Sequence, residues 1–268
     1  MMKNICSFIL FTALPIFGMD GLMINFGSPA DFQKPEACTQ EGNVLRVKSS
    51  GEYRSAKTLT LDAAKNYRFS AEFRMKSGTP AKILSGFIPL DENGKAIHPS
   101  AVKIIPSTET EVAADAYRGE KILRVKDASR WKDKNAYGFI ALIVKDDFSD
   151  LPNRNILPIA KDGIKQNGNI WEISLKAPLT KTVDAGTKVR QHSDGATYIW
   201  TGGLAQPKDK WLKKSGNLSG EIAKNGNPQN QLWPGTKKIR LVIRINGKPD
   251  SVTEIRNVKL EEVIPNQQ

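Results

Sequence analysis

The sequence predicts an all-β protein, a β-sandwich or barrel of many short strands. Apolar and polar residues alternate along many short stretches of the chain, which is the period of a half-buried strand. Turn sequences rich in Gly, Pro, Asn and Asp separate these stretches, as they do in β-sandwiches and barrels. The sequence after residue 21 contains no long amphipathic helix, so short strands are expected to form the whole fold.

The first 21 residues are predicted to be an export signal. A positively charged start, MMKN, precedes the apolar run ICSFILFTALPIF, and small residues follow at Gly18 and Gly21. The run has the length of a signal-peptide core and is too short for a spanning helix, although an N-terminal anchor helix is the alternative. No later apolar stretch approaches the roughly 20 residues that a membrane helix needs.

Removal of this signal would leave Cys38 as the one cysteine of the chain. An intrachain disulfide could then not form. An exported protein without disulfides fits a bacterial envelope better than a eukaryotic secretory route. We therefore expect a bacterial protein that is periplasmic, attached to the cell surface or secreted.

Four stretches give the clearest strand predictions. In YRFSAEFRMK, residues 67–76, apolar and polar side chains occupy opposite faces, which predicts a half-buried antiparallel strand. WEISLKA, residues 171–177, and KKIRLVIRIN, residues 237–246, alternate in the same way. YGFIALIV, residues 137–144, is apolar on both faces, so this strand is predicted to be covered on both sides.

Two segments resemble jelly-roll carbohydrate-binding modules and their galactose-binding-like relatives. YRFSAEFRMKSG followed by GFIPLDENGKAI is similar to the middle strands of those modules, and WLKKSG, TKKIRLVIRIN and TEIRNVKLEEV are similar to their last three strands. The resemblance covers residues 40–100 and 208–264. It departs at Arg256-Asn257, where those modules usually carry an Asp, and this puts a structural calcium ion at that point in doubt.

The resemblance implies that residues 22–100 and 208–265 form one discontinuous jelly-roll sandwich. Residues 101–207 lie between its two halves and contain alternating stretches of their own. We therefore predict that 101–207 is an inserted β subdomain that grows from a loop of the sandwich. Both ends of an insertion must lie close together on the surface, which jelly-roll loops allow.

The stretch GTKVRQHSDGATYIW, residues 186–200, predicts a β-hairpin whose register decides what it presents. A two-residue turn at Asp194-Gly195 is one alternative. This register would build a core face, which would contain Val189, Gln191, Tyr198 and Trp200.

A three-residue loop with a bulge at Gly195 is the other alternative, and it is favoured because it buries Val189 and Ile199 together. The outward face would then form a platform of basic and aromatic groups, made of Arg190, His192, Tyr198 and Trp200. Such a platform suits a sugar ring. Two half-covered aromatic rings give roughly 2–3 kcal/mol each before ordering costs, so weak polysaccharide binding is expected.

Two further tryptophans are candidate sugar-stacking residues. Trp233 lies in the Gly/Pro loop QLWPGTK, where it could stack on a sugar or close the edge of the sandwich. Trp131, in ASRWKDKN, follows a charged turn and could be exposed or buried. Trp171 is predicted to belong to the core because it lies on an apolar alternating face, and for Trp211 the resemblance to the modules implies the same.

Three aspartates, Asp146, Asp147 and Asp150, occur together in KDDFSDLPN. Their carboxylates could ligate Ca²⁺, which prefers six to eight oxygen ligands. They could also supply the carboxylate pair of a glycoside hydrolase. A polar loop after a buried strand is the remaining interpretation. The spacing of the aspartates does not distinguish these three interpretations.

The chain is basic, with 40 Lys and Arg against 28 Asp and Glu and a net charge of +12. This charge indicates an anionic partner such as acidic polysaccharide, or a Lys-rich solvated surface. Nucleic acid is not expected as a partner, because the sequence contains no basic-aromatic motif of known nucleic-acid-binding modules. The chain has only two histidines and lacks the HExxH and GxSxG motifs of common hydrolases.

These observations predict an exported, non-catalytic protein that binds carbohydrate weakly or associates with the cell envelope. Anionic polysaccharide is the favoured partner, and no cofactor is expected apart from a structural Ca²⁺ at the three aspartates. One alternative is a polysaccharide-degrading enzyme with a carboxylate pair. The other is a structural or adhesive surface protein without a ligand site.

Overall fold

The computed structural model describes the chain with short gaps, over residues 23–48, 50–132, 138–222, 226 and 228–264. The predicted export signal, residues 1–21, lies outside the described residues. Within them the chain is almost entirely β and forms three antiparallel sheets, which confirms the prediction of an all-β sandwich fold. None of the helices in these ranges is long and apolar enough to cross a bilayer.

Sheet 1 brings together strands from both ends of the described chain. Its strands are β1 (Met23–Phe26), β2 (Cys38–Glu41), β3 (Val44–Lys48), β6 (Asn66–Ser77), β15 (Leu212–Ser219) and β17 (Val252–Glu262). The order across the sheet is β15-β6-β17-β3-β2, and β1 also pairs with β17. The pairing of β17 with β6 is interrupted between Arg256 and Lys259 by a β-bulge.

Sheet 2 faces sheet 1 across the main core. Its strands are β4 (Gly51–Arg54), β5 (Leu59–Thr60), β7 (Lys82–Leu90), β14 (Ile199–Ala205) and β16 (Lys238–Asn246). The order is β14-β7-β16-β4, with β5 on β16. The outer face of this sheet, which points away from sheet 1, carries the candidate site.

Sheet 3 is formed by residues that follow β7 and precede β14 in the chain. Its strands are β8 (Thr110–Glu111), β9 (Ile122–Val125), β10 (Gly138–Leu142), β11 (Ile156–Asn167), β12 (Ile170–Leu175) and β13 (Lys188–Ser193). The order is β8-β13-β10-β11-β12-β9. The short helix α1 (Pro99–Val102) lies between β7 and β8, and two 3-10 turns, Pro29–Asp31 and Pro35–Ala37, lie between β1 and β2.

The main core fills the space between sheets 1 and 2. The apolar face predicted for 67–76 is buried along the whole of β6, and the apolar face predicted for 237–246 is buried along β16, so both strand predictions are confirmed. At the centre, the rings of Phe69 on β6 and Phe87 on β7 meet edge to face, with centroids 5.4 Å apart. This arrangement is the favoured geometry of an aromatic pair and ties one sheet to the other.

A second core lies under sheet 3 and contains Leu123, Ile140, Ile173 and Val189, all fully buried. The strand predicted over 137–144 is shorter than expected, because β10 ends at Leu142. The next residue, Ile143, has φ of 57° and is 55% exposed. The left-handed backbone at Ile143 coincides with the end of β10, so the apolar run of the sequence extends beyond the strand itself.

The hairpin predicted over residues 186–200 does not form. β13 pairs with β10 and β8 in sheet 3, whereas β14 pairs with β7 in sheet 2. Neither register considered from the sequence applies, because each strand satisfies its backbone hydrogen bonds with a different neighbour. The strands of sheet 3 end at Ser193, and β14 is hydrogen-bonded to the sandwich although it lies inside the predicted insertion, 101–207.

We expect Phe69→Ala to lower the free energy of unfolding by about 3–5 kcal/mol, because it empties the centre of the main core. Urea denaturation followed by circular dichroism measures this loss. Arg68→Ala is the matched control, since Arg68 is the adjacent exposed residue of β6 and should change stability by no more than about 0.5 kcal/mol. Equal losses in the two variants would contradict the central role of Phe69.

Candidate functional site

The four residues predicted to share one sugar-binding face lie in two different sheets. Arg190 and His192 are fully buried in sheet 3. Tyr198 and Trp200 are partly exposed and pack on sheet 2. The predicted four-residue platform is therefore wrong, because it depended on a hairpin that does not form. The aromatic half of the prediction survives as a surface feature of sheet 2.

Tyr198 and Trp200 cover an apolar area on the outer face of sheet 2. Their rings meet edge to face with centroids 5.1 Å apart. Beneath them lie Ile88, Leu90 and Val242, which are buried on the side of the sheet opposite to the main core. We call this group of five residues the outer-face patch.

A polar group holds Tyr198 in place at one edge of the patch. The Tyr198 hydroxyl donates a hydrogen bond to Glu52 Oε1 over 3.0 Å and accepts one from Arg54 Nη2 over 3.0 Å. Arg54 and Glu52 also form an ion pair of 2.6 Å. Glu52 and Arg54 belong to β4, at the edge of sheet 2 opposite to β14. The hydroxyl end of the Tyr198 ring is therefore held by hydrogen bonds as well as by packing.

Two arginines extend the patch along β16. Arg240 and Arg244 lie on either side of Val242 and on the same face of the strand, since alternate residues of a strand share a face. In the sheet they stand opposite Ile88 and Leu84 of β7. Arg240 Nε is buried and has no hydrogen-bond partner in the described part of the chain. The face thus combines two aromatic rings with hydrogen-bond donors of positive charge.

The close approach of β14 to β7 places the two rings over the sheet, and Gly86 makes this approach possible. A Cβ atom at position 86 would lie 2.0 Å from the carbonyl oxygen of Ile199 and 2.8 Å from Trp200 Cα. Both contacts are far inside the van der Waals limit, so only glycine fits. The pairing of β14 with β7 is irregular between Ile199 and Gly203, at the point of this contact.

A polar groove lies beside Glu52 and Arg54, the two residues that bind the Tyr198 hydroxyl. One surface cavity of about 250 Å³ is lined by these two residues and by Lys34. A second cavity of about 490 Å³ shares Lys34 and Glu52 with the first and extends towards Lys48. Thr39 and Arg46 of sheet 1 also line the second cavity, so the groove lies at the edge of the sandwich where β4 of sheet 2 approaches β2 and β3 of sheet 1.

Arg190 and His192 form the centre of a buried polar network instead of a binding face. Arg190 Nε donates to His192 Nε2 over 2.9 Å, and Arg190 Nη2 pairs with Asp150 over 2.6 Å. Because Nε2 accepts, His192 carries its proton on Nδ1 and donates it to the Ser100 carbonyl over 2.8 Å. Burial and the nearby charge of Arg190 lower the pKa of His192 to about 4. The network joins α1 and the loop that contains Lys145 to sheet 3.

The two other predicted stacking tryptophans are also buried. Trp233 is fully buried in the main core, so its loop closes the sandwich edge, as the alternative reading of the sequence proposed. Trp131 is 8% exposed and belongs to the second core, where its Nε1 donates to the Thr108 carbonyl over 2.9 Å. Neither ring can stack on a sugar, and both predictions are wrong because the loops fold back over apolar surface.

The three aspartates of KDDFSDLPN have different interaction partners. Asp150 pairs with buried Arg190, whereas Asp146 is exposed and pairs with Lys188 over 2.7 Å. Hydrogen bonds from Ser149 lower the pKa of Asp147. Among the residues that the structure describes, no three acidic, His or Cys side chains converge on a metal position. Calcium binding at the aspartates stays a prediction, without support from this geometry.

Four residues of this face, Glu52, Arg54, Arg240 and Arg244, were not predicted from the sequence. For Arg240 and Arg244 the sequence does contain an indication, because both occupy polar positions of the alternating run 237–246. The alternation predicts that they point away from the core. It does not predict that β7, β14 and β4 bring the aromatic rings and Glu52 to the same face.

Gly86→Ala is expected to displace β14 and lower the free energy of unfolding by about 1–3 kcal/mol, because the added methyl group overlaps the backbone of Ile199. Urea denaturation measures the loss. The near-UV circular dichroism of the Tyr198–Trp200 pair should weaken in the same variant. Gly27→Ala is the control, since a Cβ there meets no atom within 4 Å. Unchanged stability of Gly86→Ala would refute the close approach.

Stability is expected to fall as the pH drops from about 6.5 to about 4. The unfolded chain takes up a proton on residue 192 below its ordinary pKa of about 6.5, whereas folded His192 stays neutral down to about 4. This difference in pKa lowers the free energy of unfolding by roughly 3 kcal/mol between the two pH values. Urea denaturation of the wild type and His192→Gln across this range measures it.

The variant His192→Gln should lose that part of the pH dependence, whereas His98→Gln should keep it, because His98 is exposed. If the wild type and His192→Gln show the same slope of unfolding free energy against pH, His192 is not held neutral by its surroundings.

Comparison with known proteins gives distant structural similarity only. No protein-family model and no curated protein matches the chain. A CBM4 structure is 5% identical over 84% of this chain and 75% of its own, with a TM-score of 0.30. A CBM22-1 xylan-binding domain from Paenibacillus barcinonensis Xyn10C is 10% identical over 92% and 97%, with a TM-score of 0.31.

A glycosyl-hydrolase candidate from Parabacteroides distasonis is 11% identical over 90% of this chain and 100% of its own, with a TM-score of 0.29. The sequence predicted a loose resemblance to carbohydrate-binding jelly rolls, and these distant similarities agree with that prediction. Similarity at these TM-scores carries no conclusion about what the chain binds.

Proposed function

We propose that the chain is an exported, non-catalytic protein that binds carbohydrate on the outer-face patch of sheet 2. The observation that carries this proposal is the pair of partly exposed rings, Tyr198 and Trp200, fixed over an apolar surface and flanked by arginines. Aromatic rings stack on the apolar faces of sugars, and the flanking polar groups bind the hydroxyls.

The expected affinity is weak. A buried aromatic covers about 150–250 Å², and half-covering each ring gives roughly 2–3 kcal/mol at about 25 cal/mol per Å². Ordering costs reduce this gain, so binding between about 10 μM and 1 mM is expected. Such an affinity suits a protein that contacts a long polysaccharide repeatedly along its length.

Anionic polysaccharide is the favoured ligand. Glu52 is already paired with Arg54, so Arg240 and Arg244 leave the face positively charged. The buried Nε of Arg240 has no partner within the described residues, and a carboxylate or sulfate group of a sugar is a suitable acceptor for it. A hydrolase with a carboxylate pair gains no support, because Asp150 is held by Arg190 in the interior.

Trp200→Ala is expected to weaken polysaccharide binding at least about tenfold, because it removes one of the two stacking rings. An array of neutral and acidic polysaccharides probed with the purified protein measures this loss, with circular dichroism as the check of folding. Tyr117→Ala is the control, since Tyr117 is a 59% exposed aromatic residue outside sheet 2. It should bind as the wild type does.

Arg244→Gln provides a second test that leaves the apolar patch intact. It should weaken binding to acidic polysaccharides more than to neutral ones, because Arg244 is exposed on the same face. A wild type that binds no polysaccharide, or a Trp200→Ala variant that binds normally, would contradict the proposed function and favour a structural surface protein.

A further inference from the structure

The outer face of sheet 1 contains a cavity that the proposed function does not use. Its volume is about 360 Å³, and its polar lining consists of Asn25, Ser70, Glu72, Lys213, Asn257 and Lys259. The cavity lies at the bulge of β17, where Asn257 and Val258 together stand opposite Ala71 of β6. Asn257 has φ of 52°, so the bulge turns the strand locally. β-bulges often lie beside binding sites because they redirect side chains.

Ser70 is the polar group of this cavity that the protein leaves unused. It is 5% exposed, and its Oγ has no hydrogen-bond partner in the described chain. Its cross-strand neighbours are Lys259 on β17 and Ser215 on β15. Buried hydroxyls are nearly always hydrogen-bonded, and a hydroxyl can both donate and accept. The Ser70 hydroxyl is therefore available to a group that the chain itself does not supply.

The charges around Ser70 favour an anion. Arg256 Nε and Asn257 Nδ2 bind the two carboxylate oxygens of Glu72 over 2.8 and 3.1 Å, so the one carboxylate of the cavity is already neutralised. Lys259 contacts Glu261 over 2.8 Å. The charge of Lys213 helps to lower the pKa of Glu72, but its side chain forms neither an ion pair within 4.0 Å nor a hydrogen bond with the residues described here, so its ammonium group can bind a ligand.

We propose that this cavity binds the oxyanion of a small polar ligand, the carboxylate or sulfate group of an acidic sugar. Lys213 and Lys259 would supply the positive charge, and Ser70 and Asn25 the hydrogen bonds. A volume of about 360 Å³ lies at the small end of ligand pockets, which span about 300–1,000 Å³. The proposal does not rest on the proposed function, because the outer-face patch lies on the other sheet.

Titrations of the isotope-labelled protein, followed by amide NMR, test the proposal with three probes. Glucuronate carries both a sugar and a carboxylate, glucose carries the sugar alone, and sulfate is an oxyanion alone. Glucuronate should shift the amides of Ser70, Lys213 and Asn257, whereas glucose should not. A similar shift with sulfate assigns the site to the oxyanion alone, and its absence assigns it to a carboxylate-bearing sugar.

Lys213→Gln should weaken glucuronate binding about tenfold, because it removes a charge-assisted hydrogen bond. Lys214→Gln is the matched control, since this neighbour in β15 carries the same charge but points to the opposite face of the strand. Binding that is equally strong in Lys213→Gln and the wild type would overturn the proposal. A wild type that binds neither glucuronate nor sulfate at the cavity would overturn it as well.

Ser70→Ala separates a ligand-binding role from a structural one. If the hydroxyl serves a ligand, the variant should bind glucuronate at least about fivefold more weakly, while its unliganded melting temperature stays the same or rises. A lower melting temperature with unchanged binding would show that Ser70 is structural. Shifts confined to Tyr198 and Trp200 would assign the sugar to the outer-face patch and overturn the cavity site alone.

Discussion

The close approach of β14 to its neighbours is the constraint on which the candidate site depends. Gly86 of β7 lets the backbone of Ile199 and Trp200 approach β7 closely. Gly216 does the same for β15, because a Cβ atom at position 216 would lie 2.0 Å from the Thr201 carbonyl oxygen of β14. With larger residues at either position, β14 would move away from the sandwich. The surface position of the two rings is therefore a consequence of backbone packing at the sheet edge.

The two outer faces of the sandwich use different physical chemistry. Sheet 2 exposes aromatic rings over apolar side chains, whereas sheet 1 carries ion pairs centred on buried Glu254, which contacts Arg46 over 2.8 Å and Arg74 over 2.5 Å. Burial opposes ionisation of Glu254, but these hydrogen bonds still lower its pKa. These ion pairs give the outer face of sheet 1 a polar, charged surface, and the cavity at the bulge lies within that surface.

The sequence could predict which residues share a face of a strand, but not which strands become neighbours. Alternation correctly identified the buried faces of β6 and β16 because it reports the local period of the backbone. Arg190 and His192 occupy alternate positions of β13, as the exposed side chains of a half-buried strand would, yet they are buried because α1 and the loop of residues 145–150 cover that face. Trp233 shows the same limit, since a Gly/Pro loop does not reveal what it covers.

Sheet 3 has a physical role in the candidate site because it fixes the start of the segment that carries Tyr198. His192 binds the Ser100 carbonyl of α1, and Arg154 binds the carboxylate of Asp91 and the Ala96 carbonyl in the segment that follows β7. Residues 194–198 therefore run between two anchored points, Ser193 in sheet 3 and Ile199 in sheet 2. With both ends held and its hydroxyl bound by Glu52, Tyr198 has little freedom to leave the patch. A ring that is ordered before binding loses less entropy when a ligand covers it, so sheet 3 would favour the proposed binding although it contributes no side chain to the patch.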